Sequence, residues 1–446
     1  MSPIGPSDPR PLSSCCAFIL LPGETDPIQG RSPVAVRRFA LNAPPLTREA
    51  ADALLFLLLR PARVAVPMST PRVEWAEGTA VRDAAWLSGS GAIPPRRVEV
   101  VDDAVRADDA FRLACEGRGL LWYGDFQNAR QLLQALARRL DKRAARSRLP
   151  DDMPMRERFY RYRQGQAHRA RILGMVLIPL DGAQAIPLRR APDVRAALHH
   201  ALGEAEGDGV VPLRELQGMV GAYEWHRKGV PIAALGGATI HPDFGVFSPI
   251  RGEYLDLVAR APLPVRGNAF DIGTGTGVLA AVLARRGVST IIASDLSPRA
   301  LACARANVER LGLSGQIAVR EADLFPSGRA TLAICNPPWL PGKASSTLEQ
   351  AVYDPDSRML RGFLNGLAAH LSPGGEGWLI LSDLAEHLGL RSRDQLLGMI
   401  EAAGLVVIER LDTRPRHGKA LDASDPLHAA RLHETTSLWR LGAARP

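Results

Sequence analysis

From about residue 240 onward, short apolar runs alternate with amphipathic helical stretches, and this alternation is the tightest constraint on the fold. NAFDIG leads into VLAAVLARRG, and STIIASD leads into PRALACARANVERLGL. Further apolar runs follow at 316–320, 330–335 and 377–382, the last preceded by a helical stretch at 358–371. LVVIERLD and TTSLWRL close the series. Strands separated by helices argue for a parallel α/β sheet. Ser297 is placed to cap the helix that Pro298 opens and that ends near Gly312.

Upstream, residues 46–230 mix helical and strand patterns without an internal repeat. A helix is expected over 127–146, where Leu132, Leu133, Leu136 and Leu140 recur at helical spacing. Residues 1–45, rich in Pro, Ser and Gly, read as a disordered leader. The expected organisation is therefore leader 1–45, an N-terminal mixed α/β domain over 46–230 and an α/β domain over 231–446.

Bulk properties exclude several classes. The longest apolar run, ALLFLLL at 53–59, stops at Arg60 and Pro61, short of the 18 or so residues a membrane span needs. Five cysteines, an odd number without metal-ligand spacing, read as free thiols in a reducing compartment. A cytoplasmic protein with no metal site and no membrane partner is the expectation. The net charge of +8 is unevenly spread. Residues 231–446 hold 22 Lys/Arg against 21 Asp/Glu, whereas residues 138–171 alone hold 12 basic and 4 acidic residues.

AFDIGTGTGVLA carries the strongest chemical signal. Asp271, Gly273, Gly275 and Gly277 fall at every second position, directly after a strand and at the start of a helix. Glycines there let the backbone turn tightly and approach a ligand. A nicotinamide fingerprint would need glycine at 278, which is Val278. The D-x-G-x-G-x-G pattern resembles instead the S-adenosylmethionine loop of class I methyltransferases. Asp295 ends the next strand, where an acid can bind both ribose hydroxyls. By resemblance, Asp323 after the third strand would meet the adenine amino group, and Phe247 and Pro249 in GVFSP would pack over the cofactor. Taken singly, each of these residues also suits a structural turn or a helix cap.

At the end of the fourth strand stands ICNPPW, with Asn336, Pro337, Pro338 and Trp339. Transfer of a methyl from a sulfonium requires an acceptor nitrogen whose lone pair is aimed at the methyl. The Asn336 side-chain oxygen and the Pro337 carbonyl can take the two N–H groups of a planar NH2 and orient it. The prolines restrict the turn, and Trp339 offers a flat face to a planar group. These residues resemble the family of N-methyltransferases with an Asn-Pro-Pro-aromatic motif, which includes release-factor glutamine, small-domain ribosomal RNA and adenine-N6 DNA methyltransferases. The resemblance covers roughly 241–445 and implies a seven-stranded Rossmann-like methyltransferase sheet.

Two loops beyond the catalytic turn hold candidate substrate residues: Lys343 in one, and Arg416, His417 and Lys419 in the other. Arginines interleaved with Phe159, Tyr160 and Tyr162 have the makeup of a nucleic-acid surface. The same stretch also fits a basic helix face plus a strand whose aromatics enter the core. The expectation is N-methylation of an RNA base amine, with a protein glutamine as the alternative. A non-catalytic scaffold that binds RNA or a partner is the reading from another class.

Overall fold

The computed structural model describes residues 70–444 except 147–148, 151, 251, 265–266, 345–347 and 416–421. The expected leader at 1–45, and Arg416, His417 and Lys419, lie outside the described residues. Those described belong to one compact unit, Val64–Pro446. Within it are two large sheets. Among the described residues no helix is long and apolar enough to cross a membrane.

The first sheet has six strands: β1 (Arg72–Glu77), β2 (Ala80–Trp86), β3 (Arg97–Val101), β4 (Arg118–Trp122), β5 (Val176–Leu180) and β6 (Gly209–Pro212), in the order β1-β2-β6-β5-β4-β3. It is mixed: β3, β4 and β5 run parallel, whereas β5 pairs antiparallel with β6. Around it lie α1 (Ala107–Cys115), α2 (Phe126–Arg146), α3 (Met155–Leu173), α4 (Arg195–Leu202) and α5 (Leu213–Lys228). The leucine stripe read from the sequence is the buried face of α2. The basic stretch after it is helical as well. In α3, Phe159 is 1% exposed and packs with Leu340, Leu384 and Leu427, so it fastens this helix to the second sheet's loops.

Short strands β7 (Val230–Pro231) and β8 (Thr239–Ile240) lead into α6 (Glu253–Arg260) and the second sheet. That sheet contains β9 (Asn268–Ile272), β10 (Thr290–Asp295), β11 (Ile317–Glu321) and β12 (Ala330–Cys335). After a small pairing of β13 (Leu340–Pro341) with β14 (Tyr353–Asp354) come β15 (Leu371–Ser382), β16 (Leu405–Thr413) and β17 (Thr436–Ala443). The order is β11-β10-β9-β12-β15-β17-β16, with β17 antiparallel to both neighbours. This is the seven-stranded α/β sheet that the resemblance implied, parallel as the alternating pattern predicted except at β17, which pairs antiparallel.

The central strands read as continuous apolar runs because helices cover both faces. On one side α6 and α7 (Val278–Arg285) join a core with Ile291, Ile334 and Trp378. On the other, α9 (Arg358–His370) and α11 (Arg393–Ala402) pack on Phe270, Ala333 and Leu379. The remaining helices are α8 (Pro298–Arg310), α10 (Leu384–His387) and α12 (His428–Leu432). Ser297 caps α8 by accepting from Ala300 N, and Gly312 past its end has φ +68°.

Candidate active site

The chain leaves β9 toward β10 and β11, then crosses to β12 on the opposite side. The carboxyl ends of β9 and β12 therefore flank a topological switch point, where open α/β sheets bind ligands. A cavity of about 770 Å3 opens there.

Its floor is the glycine loop. Gly273, Gly275 and Gly277 all have positive φ, at +69°, +55° and +81°. A Cβ at Gly273 would also run into the Met359 methyl. Backbone N–H groups of Gly273 and Thr274 donate to Ser294 O at 2.8 and 2.9 Å, which anchors the loop to β10. Beneath it Asp271 is fully buried: one carboxylate oxygen accepts from Thr274 Oγ1 at 2.6 Å and Ala280 N at 3.0 Å. Its other oxygen is buried without a partner among the described residues, and burial pushes the carboxyl up to about 6. Asp271 and Gly277 shape the loop from behind rather than lining the cavity.

Asp295 does line it, at the end of β10. It accepts from Gly275 N at 3.0 Å and Ser297 N at 2.9 Å, so it clamps the loop while its carboxylate borders the cavity. Asp323 and Leu324 border it after β11. Asp323 is exposed and ion-paired with Arg358 at 3.0 Å. Phe247 is on the wall with Gly245 and Val246, whereas Pro249 sits in a separate, smaller pocket beside Val230 and Glu253.

Opposite the loop, Asn336, Pro337, Pro338 and Trp339 all line the cavity at the end of β12. The Trp339 indole N–H donates to Asn336 Oδ1 at 2.9 Å. That oxygen has two acceptor sites, so one stays open to the cavity while the indole fixes the amide's orientation. Trp339 is thus also a positioning residue for Asn336, beyond the flat face read from the sequence. Arg391, 4% exposed, braces the turn by donating to Trp339 O at 3.4 Å. Asp354 accepts from the Met359 and Leu360 N–H groups at 3.1 Å, which ties β14 to α9.

The wall that the sequence did not reveal is α3. Tyr162, Arg163, Gln166, Ala167 and Ala170 face the same cavity, joined by Arg214, Tyr353 and Arg431. Arg163 lies over the Tyr353 ring, 3.6 Å from its centre, and donates to Glu349 at 3.0 Å. Arg431 pairs with Asp425 at 2.8 Å. Arg214 carries no ion pair among the described residues, and partial desolvation lowers its pKa. Lys343 is exposed and off the cavity wall.

The basic segment is only partly free. Arg161 pairs with Glu157 and Arg169 with Asp141, whereas Arg138, Lys142, Arg143 and Arg146 on α2 are exposed without an ion pair among the described residues. Of its aromatics, Phe159 is core, Tyr162 is half-buried and Tyr160 is exposed. Sequence reading also missed a group away from the cavity, His200, His226 and Asp243, whose side-chain donor atoms lie within 4.8 Å of one another. They come from separate segments, and no spacing motif marks them.

Residues 238–392 match the methyltransferase small domain family. Over 196 residues the chain is 32% identical to the release factor glutamine methyltransferase of Cereibacter sphaeroides, covering 41% of this chain and 66% of that one. It is 34% identical to the ribosomal protein L11 methyltransferase of Pelotomaculum thermopropionicum, covering 32% of this chain and 40% of the relative. Identity to the ribosomal RNA small subunit methyltransferase C of Sodalis glossinidius is 38%, across 27% of this chain and 32% of the relative. The chain thus spans between about a third and two thirds of the length of these relatives. Residues 238–392, which hold the glycine cradle and the Asn-Pro-Pro turn, thus belong to the methyltransferase small domain family.

Proposed function

We propose that this protein is an N-methyltransferase that moves the methyl of S-adenosylmethionine onto a planar NH2 group. The observation that carries the proposal is the placement of Asn336 and Pro337 on the same cavity as the glycine loop and Asp295. The residues fit the cofactor: left-handed glycines form a cradle that side chains would fill, and a carboxylate borders it. In the proposed arrangement Asp295 binds the ribose hydroxyls, Asp323 and Phe247 border the adenine, and Asp271 holds the loop from below. S-adenosylmethionine supplies a methyl group on a sulfonium. The open acceptor site of Asn336 Oδ1 and the Pro337 carbonyl take the two N–H groups of the acceptor. So held, the acceptor nitrogen would aim its lone pair at that methyl, an N–C bond would form as the C–S bond breaks, and the extra proton would go to water.

For the acceptor we favour an RNA base amine. Supporting this are the exposed cations of α2, without an ion pair among the described residues, and the cavity wall formed by α3 and Arg214. A flipped base would lie against Trp339. A protein glutamine is the second reading, favoured by the relatives named as glutamine methyltransferases and by the ion pairs that neutralise Arg161, Arg163 and Arg169. In either reading the protein works in the cytoplasm, with residues before 231 selecting the acceptor and Lys343, Arg416, His417 and Lys419 contributing at the rim.

Labelled S-adenosylmethionine incubated with total cellular RNA and protein, then split by nuclease and protease, tests both. Label released by nuclease supports the base, and label released by protease supports glutamine. Binding of cofactor with transfer to neither fraction would leave the scaffold reading. A salt titration sharpens the choice. Replacing Lys142, Arg143 and Arg146 by Gln should reduce the slope of log affinity for structured RNA against log salt by up to about three. An unchanged slope would remove α2 from an RNA surface.

A further inference from the structure

Where the helices of the first sheet meet the entry to the second, three side chains converge. His200 comes from α4, His226 from the last turn of α5, and Asp243 from the loop after β8. His226 Nδ1 lies 2.9 Å from Asp243 Oδ1, and His200 Nε2 lies 3.7 Å from the same oxygen. The imidazole rings are 4.2 Å apart between centres. Both nitrogens are buried, and neither has a hydrogen-bond partner among the described residues.

Two orphaned imidazole nitrogens facing one carboxylate are costly to bury unless something bridges them. A metal ion does this. With ligand distances of about 2.0–2.2 Å, tetrahedral coordination separates donor atoms by roughly 3.3–3.6 Å. The observed 2.9 and 3.7 Å bracket that span.

The surroundings also suit a ligand set. His241 has both ring nitrogens engaged, Nδ1 with His226 O at 2.6 Å and Nε2 with Thr239 Oγ1 at 3.0 Å. It therefore holds the backbone of a ligand instead of acting as one. Arg299 of α8 donates to Ala201 O and Phe244 O at 2.8 and 3.0 Å, fixing the residues next to His200 and Asp243. Its charge is unfavourable to a cation there, as is that of a protonated His199, and the Arg299 guanidinium is spent on these carbonyls.

We propose that His200, His226 and Asp243 form a binding site for a divalent transition metal of the zinc class. The site has two imidazoles, one carboxylate and a position left for water. Asp243 precedes Gly245, Val246 and Phe247, which line the active-site cavity. The ion would clip α4 and α5 of the first sheet's layer to the segment that walls the cofactor site.

The test uses the full chain after chelator dialysis, titrated with Co2+ alone and then Zn2+ alone. One equivalent of Co2+ should bind, with visible absorption of four-coordinate geometry, and Zn2+ should displace it. Zn2+ should raise the melting temperature by at least about 2 °C. Asp243→Asn and His200→Gln should weaken Zn2+ binding by at least 10-fold, whereas the exposed neighbour variant His199→Gln should not. X-ray absorption at the zinc edge of the wild-type protein gives a reading independent of how the variants fold. A shell of nitrogen and oxygen with two imidazoles supports the site. No bound equivalent, or a shell containing sulfur, overturns it, as does undiminished binding in the variants.

Discussion

Both sheets place acids at or just after the ends of parallel strands, and in the second sheet Asp295 and Asp323 border the candidate active-site cavity. After β4, Asp125 is 2% exposed and fully engaged, accepting from Arg190 Nε at 2.6 Å and Gln127 N at 2.9 Å. The guanidinium beside it lowers its pKa. After β5, Asp181 accepts from Ala183 N and Ala185 N, both at 2.9 Å, and closes its own turn. Asp295 also accepts two backbone N–H groups, yet it borders the active-site cavity.

Topology makes the difference. In the first sheet β3, β4 and β5 are laid down side by side in chain order, so successive loops close over one another. In the second, the neighbours of β9 are β10 and β12, and the chain departs in opposite directions from the two sides of that gap. The same local pattern of strand followed by acid closes a turn in one place and borders the cavity in the other.

The sharpest way to break this comparison is Asn336→Ala set against Asp125→Asn. Loss of the Asn336 acceptor should lower methyl transfer by about 100-fold or more, the scale for one preorganised partner of the transition state. Cofactor affinity should stay within a few-fold. Asp125→Asn should leave transfer unchanged and lower only the melting temperature. Near wild-type turnover by the Asn336 variant would remove the clamp from the mechanism.

A smaller effect is expected at the cofactor. Asp295→Ala should weaken S-adenosylmethionine binding by about 1–3 kcal/mol, the cost of leaving hydrogen-bonding groups unpaired. Asp181→Ala should not affect it. Calorimetric titration of both variants separates an acid at the switch point from one that only closes a turn. Equal affinities would mean that Asp295 acts solely as a loop clamp.

Much of this was legible in the sequence because the second sheet obeys local rules. Its strands, the Ser297 cap and the glycine loop follow from periodicity and backbone geometry within a few residues. The Asn336 turn follows from position at a strand end. Lost to sequence reading were contacts made across long separations. Tyr162 and Gln166 wall the cavity because Phe159 docks α3 on Leu340 and Leu384, and no local pattern encodes that docking. An aromatic between arginines has the same composition whether it stacks on a base or enters a core. Likewise, the Trp339–Asn336 hydrogen bond depends on a side-chain orientation that the motif does not specify. His200, His226 and Asp243 meet only because α4, α5 and the β8 loop converge.

The smallest effect concerns Asp271, the acid that the second sheet buries outright where the first sheet pairs its own. Burial raises its carboxyl to about 6, above the ordinary aspartate value near 3.9 in the unfolded chain. The folded state therefore holds a proton that the unfolded state has lost over roughly pH 4–6. Asp271's contribution to stability is present below that window and declines as pH rises through about 6. Its share of the slope is at most one proton, or about 1.4 kcal/mol per pH unit. Asp271→Asn cannot titrate, and its amide oxygen can still accept from Thr274 Oγ1 and Ala280 N. Denaturant unfolding at pH 4.5, 5.5 and 6.5 should show a flatter pH dependence for Asp271→Asn than for the wild type. Asp125→Asn, which removes an acid of lowered pKa, should instead reduce stability most above pH 4 and leave the pH 5–6 slope unaltered. If wild type and Asp271→Asn run parallel, the carboxylate is ionised throughout and the loop draws on a compensating donor.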